Sequence, residues 1–305
     1  MADSGTKPAI PLGSLHHAKG VIMKILFASL PCSLVAAVFA TSLHAPLASA
    51  DTLDEVKARG TLVVAIDPTF APYEYTNSSG AITGYTPAIM AEVAKTLGVK
   101  VEYQKMAFSG IIPALISGSV DAEGSSLNVT AERANKVLFV VPFGKSVNAV
   151  MTRVDDKRLA SSSLTPERLA GLSAAVKTTS APEQLIKQFN VDLKAKGLAP
   201  IKVVGVDSVD QTFAALMTKR ADFILDDITV LGSLLKQHPD NVRQVGELGD
   251  SQWISWATRK DDVRLNKAIS DQIVAMKASG ALQALQQQYL GVTFELPSSD
   301  FIPAK

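Results

Sequence analysis

The 305 residues are 47% apolar and 19% charged, which describes a globular chain large enough to bury one or two cores. Thirty basic against 29 acidic side chains leave a net charge of +1, so no global field draws the chain toward nucleic acid or acidic lipid. Any partner must be recognised by a local site.

Residues 23–50 read as a secretory signal peptide: Met23 and Lys24, an apolar run from Ile25 to Leu43, then Ala48-Ser49-Ala50 as the small-residue cleavage site. No basic stop-transfer flank follows the run, and Pro31 and several hydroxyl residues weaken it as a permanent anchor. Residues 1–22 lack periodicity and form an upstream extension before the serviceable start at Met23. Cys32 lies inside the apolar run behind Pro31, which does not fit a lipidated cysteine. Cleavage after Ala50 removes Cys32, His16, His17 and His44, and with them any Cys/His zinc site, Cys nucleophile or disulfide. Only His238 remains, between a Lys-bearing helix end and Pro239, and it reads as a solvated turn. An exported, cysteine-free chain with a core of this size fits a bacterial periplasm.

Beyond Ala50 the elements follow in order. A short helix over 52–60 ends on Gly60, and TLVVAI (61–66) is a buried strand. After a loop rich in Pro, Tyr and Gly come a helix over 86–98, an alternating strand over 100–106, a short helix over 108–118 and a strand over 119–126. The grammar then repeats: strand 172–177, helix 182–197, strand 201–206, helix 208–220, and strand 221–227 running into a helix to Gln237. Two βαβαβ units of this kind predict an α/β protein of two lobes, each a largely parallel sheet flanked by helices. Segments 145–153 and 253–261 read as two extended crossings that make a two-strand hinge, and 262–291 as two helices finishing the first lobe. The expected division is 51–147 plus 253–305 for lobe 1 and 148–252 for lobe 2. Ligands of open α/β sheets settle at the carboxyl ends of the strands, so two such edges facing across a hinge favour small-molecule capture by closure.

The segments DPTFAPYEY (67–75), GIIPALISGSVDAEGSSLNVTAERA (110–134) and RADFILDD (220–227) resemble the extracellular solute-binding proteins of family 3, the polar amino-acid receptors of ABC importers. The resemblance spans Leu62 to about Gly291 and implies the type II periplasmic-binding-protein fold. It implies that Arg133 grips a ligand α-carboxylate, a task suited to a guanidinium fork. It implies that Asp227 accepts the α-ammonium, although an Asp there also suits a helix N-cap, and Asp226 could fill either role. Ser125, Ser126 and Asn128 match the hydroxyl and backbone contacts ahead of the Arg. Asp67, Phe70 and Phe108 match the side-chain pocket, a carboxylate between two aromatic plates. The family's second-lobe Gly-Thr-Thr loop reads here Thr179-Ser180-Ala181-Pro182-Glu183; losing Gly makes a Gly-specific φ costly and gaining Pro removes an N–H, which alters the ligand contacts implied for Thr178, Thr179 and Ser180.

The implied partners are an amino acid or amino-acid-like ligand, polar or cationic, and an inner-membrane ABC permease, with a monomeric receptor, no nucleic acid, no metal and no cofactor. A phosphate loop is not supported by FGKS (143–146), because Phe139 stands where its first Gly belongs. The competing reading is an enzyme on the same fold, similar to the family branch that eliminates water and carbon dioxide from cyclohexadienyl acids. It needs a cleft carboxylic acid, for which Glu123, Glu183 and Asp67 are candidates.

Overall fold

A computed structural model describes residues 51–159 and 164–303. The upstream extension, the signal peptide with its cleavage site, and Cys32 lie outside the described residues. Among the described residues no helix is long and apolar enough to cross a membrane.

The chain opens with α1 (Thr52–Arg59), capped by the Asp51 carboxylate accepting from Leu53 N at 2.9 Å. β1 (Thr61–Ile66) follows, then a small antiparallel sheet of β2 (Thr69–Phe70), β3 (Glu74–Thr76) and β4 (Ile82–Thr83), α2 (Tyr85–Leu97), β5 (Lys100–Lys105), α3 (Phe108–Ile116), β6 (Ala122–Asn128), α4 (Ala131–Ala134), β7 (Leu138–Phe139) and β8 (Gly144–Ser146). The next strand, β9 (Asn148–Arg153), belongs to another sheet, so a single residue, Val147, separates strands of the two. There follow β10 (Ser173–Lys177), α5 (Ala181–Ala195), β11 (Lys202–Val206), α6 (Val209–Met217), β12 (Phe223–Asp227), α7 (Ile228–Gln237) and β13 (Val242–Glu247). β14 (Gln252–Thr258) returns to the first sheet, and α8 (Val263–Ala278) and α9 (Ala281–Leu290) close the chain.

The two sheets repeat one plan. In the first, β1 pairs in parallel with β5 and β6, and β14 joins β6 antiparallel, giving β5-β1-β6-β14-β7 with β8 also on β14. In the second, β10 pairs in parallel with β11 and β12, and β9 joins β12 antiparallel, giving β11-β10-β12-β9-β13. Each sheet thus carries one antiparallel strand beside its third parallel strand, and those two strands, β9 and β14, are the ones that follow the crossings. The molecule is two-lobed α/β, with helices covering sheets whose inner parallel strands β6, β10 and β12 are buried on both faces, while the outer strands β5 and β11 are partly exposed.

Several details depart from the expected elements. The hairpins of β2, β3 and β4 occupy what reads as a loop, and β13 had no sequence signal. His238 ends α7 half-buried, its ring stacked on Phe213 with centroids 4.1 Å apart, instead of lying in a solvated turn. The β2–β4 sheet is seated on α2 through Gly84: its φ is +123°, and a Cβ there would lie 2.3 Å from the Tyr73 carbonyl oxygen, so no side chain is tolerated. From the fully buried Trp256, aromatic contacts run to Phe143, Tyr85, Tyr73 and Phe70 at centroid spacings of 4.6, 6.1, 6.2 and 5.5 Å. This row ties Phe70, at the lobe edge, to the core.

Candidate functional site

The carboxyl ends of β1, β6, β10 and β12 converge between the lobes. The cavity there takes Phe70, Glu74, Phe108, Ser126, Asn128 and Ser146 from the first sheet and its connections. Asn148, Lys177, Ser180, Pro182, Asp226 and Asp227 line it from the second. The helices α3, α5 and α7 all begin at this cleft, which turns their free N–H groups toward it.

Of the residues expected from sequence, Phe70, Phe108, Ser126, Asn128, Ser180 and Asp227 line the cavity. Ser126 donates through both N and Oγ (each 2.8 Å) to the buried Glu74 carboxylate. Ser180 caps α5, its Oγ accepting from Glu183 N at 3.3 Å. Asp227 caps α7: Oδ1 accepts from Thr229 N at 2.8 Å and Val230 N at 3.4 Å, while Oδ2 accepts from Ser146 Oγ at 2.7 Å. Both of its oxygens are therefore engaged. The neighbouring Asp226 accepts from Asp227 N through Oδ1 at 2.8 Å, and its other oxygen accepts no hydrogen bond among the described residues.

The remaining four are not among its lining residues, and Arg133 and Thr179 border a neighbouring pocket that shares Phe108. Ser125 is fully buried and accepts from Asp67 N at 2.8 Å, fixing the turn after β1. Arg133 is buried and bridges the two lobes, donating from Nη1 to Asn128 O and from Nη2 to Thr179 O, both at 2.9 Å. Its guanidinium lies 5.5 Å from the Phe108 ring centroid. Thr179 has an exposed side chain and a φ of +63°, so a β-branched residue occupies the left-handed region that favours Gly. The loop keeps its hydrogen bonds through the backbone, with Thr179 N donating to Glu183 Oε2 at 2.7 Å.

Asp67 faces a residue that the sequence did not bring forward. Lys177, the last residue of β10, reaches across the cleft so that Nζ lies 2.7 Å from Asp67 Oδ2 and 4.9 Å from the ring centroids of both Phe70 and Phe108. Both side chains of this pair are buried, at 7% and 3% exposure. Glu74 was missed as well, and Asp226 was named only as an alternative to Asp227. The signal for all three was a charged residue in or at the end of a buried strand, a placement that demands a partner.

Burial dominates the electrostatics. It pushes the Glu74 carboxyl up to about 7 against the hydrogen bonds from Ser126 and Thr86, and Asp226 up to about 7 against the attraction of Lys177. Asp227 is raised for the same reason. Burial also pulls the Arg133 guanidinium down to about 10, opposed by the charges of Glu123 and Glu132, so it remains a cation at neutral pH. Glu123 is fully buried; Ser125 N donates to its Oε1 at 2.7 Å, and its Oε2 has no partner among the described residues. Desolvation holds that carboxyl well above the usual range.

The sequence matches the profile of the bacterial extracellular solute-binding proteins, family 3, over residues 62–292. It is 27% identical over 242 residues to the L-cystine-binding protein TcyJ of Escherichia coli K12, a match covering 78% of this chain and 86% of that one. Among solved structures, an ancestral arginine-binding protein bound to arginine matches with a TM-score of 0.69 at 31% identity over 76% of this chain and 99% of its own. The ancestral amino acid-binding protein AncCDT-1, a precursor of cyclohexadienyl dehydratase, matches with a TM-score of 0.68 at 27% identity over 79% and 100%. The chain belongs to the bacterial extracellular solute-binding proteins of family 3.

Proposed function

We propose that this protein is a periplasmic receptor, exported as residues 51–305, that captures an amino acid in the inter-lobe cleft and presents its closed form to an inner-membrane ABC permease. The observation that carries the reading is Arg133, a buried cation joining the lobes against Phe108 and Asn128, which also line the cavity that holds Asp226 and Asp227. A zwitterion placed between them meets a guanidinium at one end and carboxylates at the other. The guanidinium has five N–H donors, and two are used on Asn128 O and Thr179 O, so donors remain for an α-carboxylate. Asp226 brings an unengaged oxygen for the α-ammonium, and Asp227 holds the N-terminus of α7 beside it. Phe70 and Phe108 form the apolar walls. Cystine, arginine and other amino acids are bound by the named relatives, which supports the ligand class.

The site is proposed to bind without turnover. Glu123 does not border the cavity, Glu183 is held by Thr179 N and Lys187, and Asp67 is paired with Lys177. None of the three turns a free carboxyl toward a ligand. The test is calorimetric titration of an amino-acid panel into wild type and Arg133→Ala. Stripping the cation from a desolvated carboxylate costs about 2–5 kcal/mol, or roughly 30-fold to several thousandfold in Kd. Equal affinities in the two proteins would end the proposal, and turnover of prephenate or arogenate would replace it with the enzyme.

A further inference from the structure

We propose that Lys177 is a specificity-determining residue: its ammonium fills the part of the cleft that a cationic side chain would need, so the receptor takes amino acids with uncharged side chains. This rests on the amino-acid reading of the site and narrows it. Three groups from the first lobe, the Asp67 carboxylate after β1, the Phe70 ring in β2 and the Phe108 ring at the start of α3, converge on the one Nζ. A carboxylate with two aromatic faces is the chemistry that binds a cation. Here the cation is supplied by the protein from the opposite lobe, on a side chain that is nearly fully buried.

The carboxylates around the cavity leave no place for a second cation. Glu74 is occupied by Ser126 N, Ser126 Oγ and Thr86 Oγ1. Asp227 is occupied by α7 and Ser146, and Asp67 by Lys177 and by the Thr69 hydroxyl at 2.7 Å on its other oxygen. Asp226 alone keeps an oxygen among the described residues, and the ligand α-ammonium takes it. A guanidinium or ammonium on the side chain must then either share the cage with Lys177, against like-charge repulsion in a buried site, or eject Lys177 and strand its charge. A side-chain carboxylate is disfavoured in turn, because the Lys177 ammonium is already paired with Asp67 and lies among the carboxyls of Glu74 and Asp226.

The decisive experiment is isothermal titration of glutamine, arginine, lysine and glutamate into wild type, Lys177→Gln and Lys177→Met, with thermal melts to verify folding. Wild type is expected to bind glutamine at least tenfold more tightly than arginine, lysine or glutamate. Both variants, with Asp67 and the two rings released, are expected to gain at least tenfold for arginine or lysine. Wild type binding arginine or lysine as tightly as glutamine overturns the proposal even if neither variant folds. So does a variant that folds, keeps glutamine and gains nothing for cations, and that result leaves the receptor reading intact. Preference of wild type for glutamate would make Lys177 an anion contact and would also overturn it. If no amino acid binds wild type or variants, the receptor reading itself fails and this inference falls with it.

Discussion

Replacing Thr179 by Gly should stabilise the protein. Thr179 sits at φ +63° at the turn between β10 and α5, and a Cβ in the left-handed region costs roughly 1–2 kcal/mol, more at a branched residue. Its side chain is exposed, so the substitution gives up little buried area. The hydrogen bonds at this position, Thr179 N to Glu183 Oε2 and Arg133 Nη2 to Thr179 O, belong to the backbone and survive it. Against the relief stands the extra freedom of Gly in the unfolded chain, about 0.5–1 kcal/mol. The net gain is about 0.5–1 kcal/mol, equivalent to a rise in Tm of about 1–4 °C for a chain of this size. Thr179→Ala keeps a Cβ at the same φ and should stay within about 0.5 kcal/mol of wild type. Urea titration and calorimetry of the three proteins decide the matter. A Gly variant less stable than wild type, or an Ala variant gaining as much as Gly, would refute the assignment of strain to this φ.

Two further outcomes follow from the buried carboxyls. Glu74 and Asp226 have folded-state values raised from 4.5 and 3.8 to about 7, so the native state holds their protons more tightly than the unfolded chain. Their contribution is complete below about pH 4 and is lost as pH rises to about 7, on the order of 3 kcal/mol for Glu74 and 4 kcal/mol for Asp226. Urea midpoints should therefore fall between pH 5 and 7, and Glu74→Gln should flatten the slope; a rise over that window would contradict the burial argument. Asp227→Ala removes the α7 cap and leaves the Ser146 hydroxyl without its acceptor, costing about 2–4 kcal/mol in the same assay, whereas Asp227→Asn keeps a capping oxygen and should lose about half of that.

The doubled β-α-β-α-β plan was legible because its strands are continuous apolar runs and its helices show helical spacing, as in TLVVAI and TPAIMAEVAKTL. Strands of two or three residues such as β2 and β4 are too short to show any period, and they were read as loop. β13, VRQVGE, is half-exposed along most of its length and lacks the apolar signature of its neighbours. At the site, Phe70, Phe108 and Ser126 were found through the resemblance, because motif order places them at strand ends and helix starts. Lys177 was not, since a terminal Lys reads as the polar end of strand SAAVK, and its partners Asp67, Phe70 and Phe108 all lie far away in the sequence, Asp67 at 110 residues. Long-range pairing of this kind leaves no local trace. The cost of the Thr179 loop was visible in advance, because a Gly-specific φ is a local property that a substitution exposes.

An amino acid held in the cleft stabilises the folded state, and thermal unfolding of the purified protein reads that stabilisation. The protein is first stripped of carried-over ligand by unfolding and refolding, then heated with each amino acid in turn. A ligand at 100 times its Kd adds about 2.7 kcal/mol to the folded state, which for this chain raises Tm by roughly 5–10 °C. The account predicts such a rise for at least one amino acid with an uncharged side chain. Melting curves unchanged by every amino acid, from a protein that refolds to a cooperative transition, would contradict it.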